Sequence, residues 1–400
     1  MCGIFPAGNG DFPRRYARIN KSEQIYLQVN FILSQEKIYT APRIFTGENW
    51  LIDHAVCTEN GMVTEILPLA TVPPGKPVTC FEKAMIVPAF IDLQIYGAEG
   101  KLFAVYPEPG SLQRIAEYCR RGGAMACLPT IATNTRDTVY RCIDAVREYR
   151  EKGGTGVPGL HLEGPWLNPV KRGAHIESLI HPPTEQEALE LLDYGKDVIK
   201  MITLAPEQCS DSILRMILDE GIIISAGHSN AGYGVAKQAF TKGVSAVTHL
   251  FNAMSPLQHR EPGLVGAVMD DQKVMASIIP DGFHVDFAAV RIAKKILGER
   301  LFVITDAVTD TTEGYYQHYP AGDKYEAAGI LSGSALTMNK AVKNLVEAVG
   351  LDLAEALRMC SLYPARVLGL EQQMGKIQPG FPVSLSVMNA EYEIIDVLQA

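Results

Sequence analysis

An alternation running through the middle of the chain narrows the possible folds most. Short, almost wholly apolar runs such as GLHLEG (159–164), GIIISAGHS (221–229), SAVTHLF (245–251) and LFVITDA (301–307) alternate with longer amphipathic segments such as RDTVYRCIDAVREYR (136–150) and FAAVRIAKKIL (287–297). A strand that is apolar on both faces has to be covered on both faces, and helices packed over a parallel sheet provide that cover. Eight such runs, beginning with AMIVPAFIDLQ (84–94), predict an α/β chain whose centre is a (β/α)8 TIM barrel. A doubly wound sheet is the alternative, but no GxGxxG opens the first βα unit.

We expect the barrel over residues 88–373. Outside it the texture changes to short β-like runs with turn residues, among them IYLQVNFIL (25–33), RIFTG and WLIDHAVCTENGMVTEILP before it, PVSLSVM and YEIIDVLQ after it. Glu59-Asn60-Gly61 between two apolar runs predicts a hairpin. Residues 1–87 and 374–400 are therefore read together as one small β-sandwich domain built from both termini, with 1–25 an extra strand or a loose arm.

With 47% hydrophobic and 20% charged residues, a core of this size can be filled. The net charge of −9 speaks against general nucleic-acid or membrane-surface binding. No run of about 18 apolar residues exists, so no membrane span is expected. MCGIFPAGNG has no basic start leading into an apolar core, so no secretory signal is expected. The eight cysteines are scattered without CxxC pairs, as befits reduced thiols in a cytoplasmic protein.

The strand candidates end on polar groups: His161 and Glu163, His228, His249, Asp281 and His284, and Asp306. Barrel active sites lie at the C-terminal ends of the strands, so these residues are expected to converge. Glu163, His228 and His249 form a two-histidine, one-carboxylate set. It suits one divalent ion, zinc first, with iron and other divalent ions also compatible. Such an ion lowers the pKa of bound water toward 7. A single buried histidine is usually satisfied by backbone; three strand-end groups together favour the metal reading. Asp306 closes an apolar run, where a carboxylate can relay a proton; an N-cap is the competing reading. His175 follows a glycine in the loop after strand three and could polarise a carbonyl. Asn252 and Ala253 can offer backbone N–H groups, and Arg260 a guanidinium, to a phosphate. His161 reads as structural. His259, the Asp53–His54 pair, His181, His318 and the Lys171–Arg172 pair read as ordinary surface or packing residues.

Together, HLEGPWLNPVKRGAH (161–175), AGHSNA (226–231), VTHLFNAM (247–254), DGFHVD (281–286), ITDA (304–307) and LSGSALTM (331–338) resemble the N-acetylglucosamine-6-phosphate deacetylases of the amidohydrolase superfamily. The resemblance runs from about residue 36 to the C-terminus and implies hydrolysis of an N-acetyl group on a sugar phosphate. It implies Glu163, His228 and His249 as ligands of one metal ion per subunit, Asp306 as general base and acid, and His175 as carbonyl polariser. It also implies substrate contacts from Ala174, His175, Asn252, Ala253, His284, Ile330, Leu331 and Ser332. Arg260 would reach the phosphate from the neighbouring subunit of a homodimer. Superfamily members with two metals carry His-x-His after strand one. Gln94 and Tyr96 stand there instead, which argues against a second ion and leaves Gln94 as a pocket contact. A cyclic amidase of the dihydropyrimidinase kind, which needs His-x-His and a carboxylated lysine, and a non-catalytic sensor are the alternatives.

Overall fold

The computed structural model describes residues 36–327 and 329–399. The IYLQVNFIL run, the extra strand or arm expected over 1–25, and Cys2 lie outside them. Eight parallel strands form one sheet in chain order: β1 (Phe90–Ile95), β2 (Ala124–Ala132), β3 (Leu160–Glu163), β4 (Ile199–Leu204), β5 (Ile223–Ala226), β6 (Ala246–Val247), β7 (Met275–Ile278) and β8 (Leu301–Val303). The sheet closes on itself just past β8. There the Asp306 N–H donates to Gln94 O (3.0 Å), and the Tyr96 N–H donates to Ala307 O (2.8 Å). The result is the expected barrel.

Helices α1 (Pro109–Arg121), α2 (Arg136–Glu151), α3 (Glu185–Gly195), α4 (Asp211–Asp219), α5 (Tyr233–Thr241), α6 (Gly263–Asp270) and α7 (Phe287–Leu297) follow β1 to β7 in turn, and further helices follow β8. Their starts are set locally. Thr135, Thr184, Ser210 and Asp286 each accept a hydrogen bond from a backbone N–H of the first turn of the next helix, satisfying a donor the helix cannot pair itself. Their apolar faces meet the strands in one continuous core that includes Leu93, Leu128, Leu162, Leu204, Ile224 and Ile278.

Strands from the two ends of the chain form two further sheets. One joins Met62–Pro68, His54–Glu59, Lys37–Thr40 and Val78–Cys80; the other joins Ile394–Gln399, Ser384–Asn389, Ala84–Pro88, Arg43–Phe45 and Trp50–Ile52. Tyr39, Val56 and Val63 from the first sheet share a core with Ile44, Ile86, Leu385 and Val387 from the second, which makes a small sandwich. The expected hairpin is present: Asn60 (φ 49°) and Gly61 (φ 75°) both take left-handed backbone between paired strands, as a two-residue type I′ turn requires. One reading is corrected. AMIVPAFIDLQ is not a single barrel strand. Ala84–Pro88 pairs with Ser384–Asn389, and the chain then passes through Ala89 into β1.

Candidate active site

Glu163 is the last residue of β3, and His228, His249 and Asp306 stand two or three residues beyond β5, β6 and β8. The backbone there is unusual. His228 (φ 46°), His249 (φ 35°) and Asp306 (φ 54°) all occupy the left-handed region, which is unfavourable for residues with a Cβ. Gly227 lets the chain turn between β5 and His228. A Cβ there would lie 2.7 Å from Thr203 Cγ2 and 2.9 Å from Thr248 Cβ.

These side chains meet in one cavity of about 190 Å³ at the C-terminal mouth of the barrel. His249 Nε2 lies 3.0 Å from Glu163 Oε1 and 3.1 Å from His228 Nε2, and His228 Nε2 lies 3.3 Å from Glu163 Oε1. Ligand atoms bound tetrahedrally at about 2.0–2.1 Å sit about 3.3 Å apart, so the three atoms are spaced to share one ion. Burial pushes the Glu163 carboxyl up, but the surrounding imidazoles of His228, His175 and His249 outweigh that and hold it well below the usual carboxylate range. An anionic carboxylate ringed by imidazoles fits a divalent cation in charge as well as in spacing.

His175 also approaches this cluster: Glu163, His175 and His228 place ligand atoms within 4.8 Å of one another. Hydrogen bonding separates the two possible triples. His228 Nδ1 donates to Lys171 O (2.9 Å), which leaves the lone pair of Nε2 facing Glu163 and His249. In His175 the order is reversed. Its Nδ1 sits against both the Thr133 hydroxyl (2.8 Å) and the Thr133 backbone N–H (3.3 Å); the backbone N–H can only donate, so Nδ1 is read as an acceptor and Nε2 as the N–H facing Glu163 Oε2 (3.2 Å). A protonated Nε2 is a donor rather than a ligand. Glu163, His228 and His249 are therefore the three that could hold a cation together. Among the described residues His249 has its Nδ1 buried without a hydrogen-bond partner. Its backbone N–H is tied instead to Ser277 Oγ (2.7 Å).

Asp306 faces the cluster. Its Oδ1 accepts from Gln94 Nε2 (2.8 Å), and burial pushes its carboxyl up to about 8, with His249 opposing and Glu163, Asp281 and Asp92 reinforcing the rise. His284 also lines the cavity. Asp281 accepts from its Nδ1 (2.6 Å), which fixes the ring. Ala174, His175, Asn252, Ala253, Leu331 and Ser332 line the cavity as well.

Three expectations need adjustment. Gln94 is fully buried and does not line the cavity; its amide instead bridges Tyr96, Glu163 and Asp306. The Asn252 backbone N–H already donates to His249 O (2.9 Å), so Ala253 has the free N–H of that pair. Ile330 is 42% exposed and is not among the residues that line the cavity, as Leu331 and Ser332 do. Arg260 is exposed on the loop after β6 and does not line its own chain's cavity.

His161 takes no part in the cluster. Its Nδ1 donates to Leu93 O (2.9 Å), its Nε2 accepts from the Thr203 hydroxyl (2.7 Å), and burial lowers its pKa to about 4, so the ring is a neutral member of a hydroxyl chain running on to Thr248 and Ser225. Among the lining residues that were missed are two aromatic rings. Tyr316 donates to Thr133 O (2.7 Å), His318 Nδ1 pairs with Ser332 Oγ (2.9 Å), and the two rings stack at 6.3 Å. They arrive on the long excursion after β8, and nothing local in GYYQHY signals where that excursion folds.

The Amidohydrolase family model matches residues 85–398, and the NagA composite domain model matches residues 38–78. N-acetylglucosamine-6-phosphate deacetylase of Haemophilus influenzae is 35% identical over 363 residues, covering 88% of this chain and 95% of its own. N-acetylgalactosamine-6-phosphate deacetylase of Escherichia coli O157:H7 is 31% identical, with 88% of this chain and 95% of its own covered. Among solved structures, N-acetylglucosamine-6-phosphate deacetylase from Pasteurella multocida superposes with a TM-score of 0.88 at 34% identity, covering 91% of this chain and 98% of that one. The chain belongs to the amidohydrolase family, in its branch of N-acetylglucosamine-6-phosphate deacetylases.

Proposed function

We infer that this chain hydrolyses the acetamide of N-acetylglucosamine 6-phosphate, giving glucosamine 6-phosphate and acetate in amino-sugar metabolism. One observation carries the reading: Glu163 Oε1, His228 Nε2 and His249 Nε2 converge within 3.0–3.3 Å of one another, with Asp306 and His175 lining the same cavity.

Glu163, His228 and His249 would hold one divalent ion, zinc by its donor set, with iron as the second choice. Such an ion supplies Lewis-acid polarisation and makes water a stronger acid. The His175 Nε2–H faces Glu163 Oε2 in the free protein (3.2 Å); with substrate bound it would turn to the acetamide oxygen as negative charge develops there. Asp306 takes a proton from the attacking water; a C–O bond forms at the acetyl carbon. Asp306 then delivers that proton to the sugar nitrogen as the C–N bond breaks, releasing acetate and the amine. Ala253 N–H and His284 bind the sugar phosphate, and Leu331 and Ser332 cover it.

We also propose a homodimer in which Arg260 reaches the phosphate bound by the neighbouring subunit. Its exposure outside its own cavity supports this, as do the exposed Leu257, Phe283 and Tyr319 on the loops after β6, β7 and β8. Residues 88–373 would be the catalytic unit, with 1–87 and 374–400 the small domain. A cytoplasmic setting accords with free thiols at all seven described cysteines. The test is a deacetylation assay over a panel of N-acetylhexosamine 6-phosphates, with metal content measured in parallel. Turnover of the gluco phosphate that falls with metal removal is expected. Turnover of dihydropyrimidines in its place would overturn the reading.

A further inference from the structure

The two oxygens of Glu163 face different neighbours. Oε1 is turned toward His228 and His249, at 3.3 and 3.0 Å. Oε2 meets His175 Nε2 (3.2 Å) and is in hydrogen-bond contact with the phenol oxygen of Tyr96. Tyr96 has one hydroxyl hydrogen, and its direction can be worked out. The phenol oxygen accepts from Gln94 Nε2 (2.7 Å), so its own hydrogen is free to go to Oε2. Gln94 is itself held, because the same amide nitrogen lies 3.0 Å from Glu163 Oε1 and 2.8 Å from Asp306 Oδ1. A phenol donating to an ionised carboxylate makes a charge-assisted bond, stronger than a neutral one and directional.

We propose that Tyr96 is a positioning residue for the cation site: its hydroxyl, steadied by Gln94, locks the rotation of Glu163 so that Oε1 alone is presented to an ion shared with His228 and His249. The inference rests on the cation site proposed above. A carboxylate with both oxygens free can swing, chelate one ion with both, or bridge two ions. Here Oε2 is occupied by two donors, Tyr96 and His175. The phenol ring also takes up part of the cavity wall on that side, where a second ion would have to sit to reach Oε2. Tyr96 therefore favours a single ion held by one carboxylate oxygen.

The test uses the full-length protein with Zn²⁺ as probe. Tyr96→Phe keeps the ring, and Tyr96→Met keeps bulk without a hydroxyl; either folded variant carries the test. Partners of ligating carboxylates typically set metal affinity within a factor of about 10–100. Competition against a chromophoric chelator should show Zn²⁺ binding weakened by about tenfold or more in both variants, with the thermal melting of the metal-free proteins little changed. With Co²⁺ substituted for zinc, the visible absorption bands should change, because a freed Oε2 alters the coordination. Zn²⁺ affinity within twofold of the parent, together with an unchanged Co²⁺ spectrum, would overturn the assignment. A parent protein that takes up no divalent ion would remove the cation site itself, a failure distinct from that of Tyr96.

Discussion

His175 Nδ1 lies against the Thr133 hydroxyl (2.8 Å) and the Thr133 backbone N–H (3.3 Å), and because the backbone N–H can only donate, it selects the tautomer with the proton on Nε2. The ring is thereby made a donor at Nε2, while His228, anchored the opposite way on Lys171, keeps the lone pair of Nε2 free. His175→Ala and His249→Ala should then behave differently. The first should keep one divalent ion per chain and lose turnover by about 10²–10³, the range for removing a donor to a developing oxyanion. The second should lose the ion. Elemental analysis beside initial rates separates them, and loss of metal from the His175 variant would move His175 into the ligand set.

Asp306→Asn keeps the shape of the side chain and removes its basicity. Turnover should fall by about 10²–10⁴, the range for general acid–base catalysis, with metal content unchanged. Near-parental kcat in this variant would take the proton relay away from Asp306.

The parts of the site readable in the sequence are those that depend only on strand ends. A parallel barrel brings every strand terminus to one face, so Glu163, His228, His249 and Asp306 could be grouped without knowing any contact. Hydrogen-bond direction was not readable. Nothing in GAH or AGHS says that one histidine is pinned through a backbone N–H and the other through a carbonyl. The left-handed backbone at His228, His249 and Asp306 was hidden for the same reason, since surrounding structure imposes it. Helix α6 was missed because GLVGAVMD contains two glycines and is almost entirely apolar, leaving no amphipathic period to detect. The break at Ala89 was missed because Ala84–Pro88 and β1 are both buried, one in each sheet system, and read as one run.

Asp92, at the heart of β1, gives a stability prediction. Burial raises its carboxyl from 3.8 to about 6, against hydrogen bonds donated by Thr305 and Gln94. Between roughly pH 4 and 6 the folded chain therefore holds a proton that the unfolded chain has released. Stability falls as pH rises through that window, by on the order of 3 kcal/mol, and the loss then stays constant. Asp92→Asn cannot titrate. Its stability deficit relative to the parent should shrink by about that amount between pH 4 and pH 7, and taking the difference cancels every other titrating group. Urea denaturation at four pH values checks this; a deficit independent of pH would mean that Asp92 does not titrate there.

Gly227→Ala tests how tightly the His228 turn is packed. The added methyl would stand 2.7 Å from Thr203 Cγ2 and 2.9 Å from Thr248 Cβ, both in strands or turns that cannot withdraw. Overpacking of this kind costs about 1–3 kcal/mol. Urea midpoints should fall accordingly, and metal affinity should fall with them, because the turn aims His228. A cost below about 0.5 kcal/mol would show that the turn has room to relax.

Arg260 gives the sharpest test of assembly. It is exposed and does not line its own chain's cavity, so the proposed dimer has it serve the cavity of a neighbouring subunit. Arg260→Ala should raise KM for the phosphorylated sugar and leave kcat nearly intact, the signature of lost uniform binding. Asp306→Asn should be almost inactive. In a mixed dimer, one site combines the Arg260→Ala chain's intact Asp306 with the intact Arg260 of the Asp306→Asn chain. Mixing the two variants under conditions that exchange subunits should therefore restore low-KM turnover that neither has alone. If Arg260 instead serves its own chain, every site in the mixture lacks one of the two residues and no low-KM activity appears.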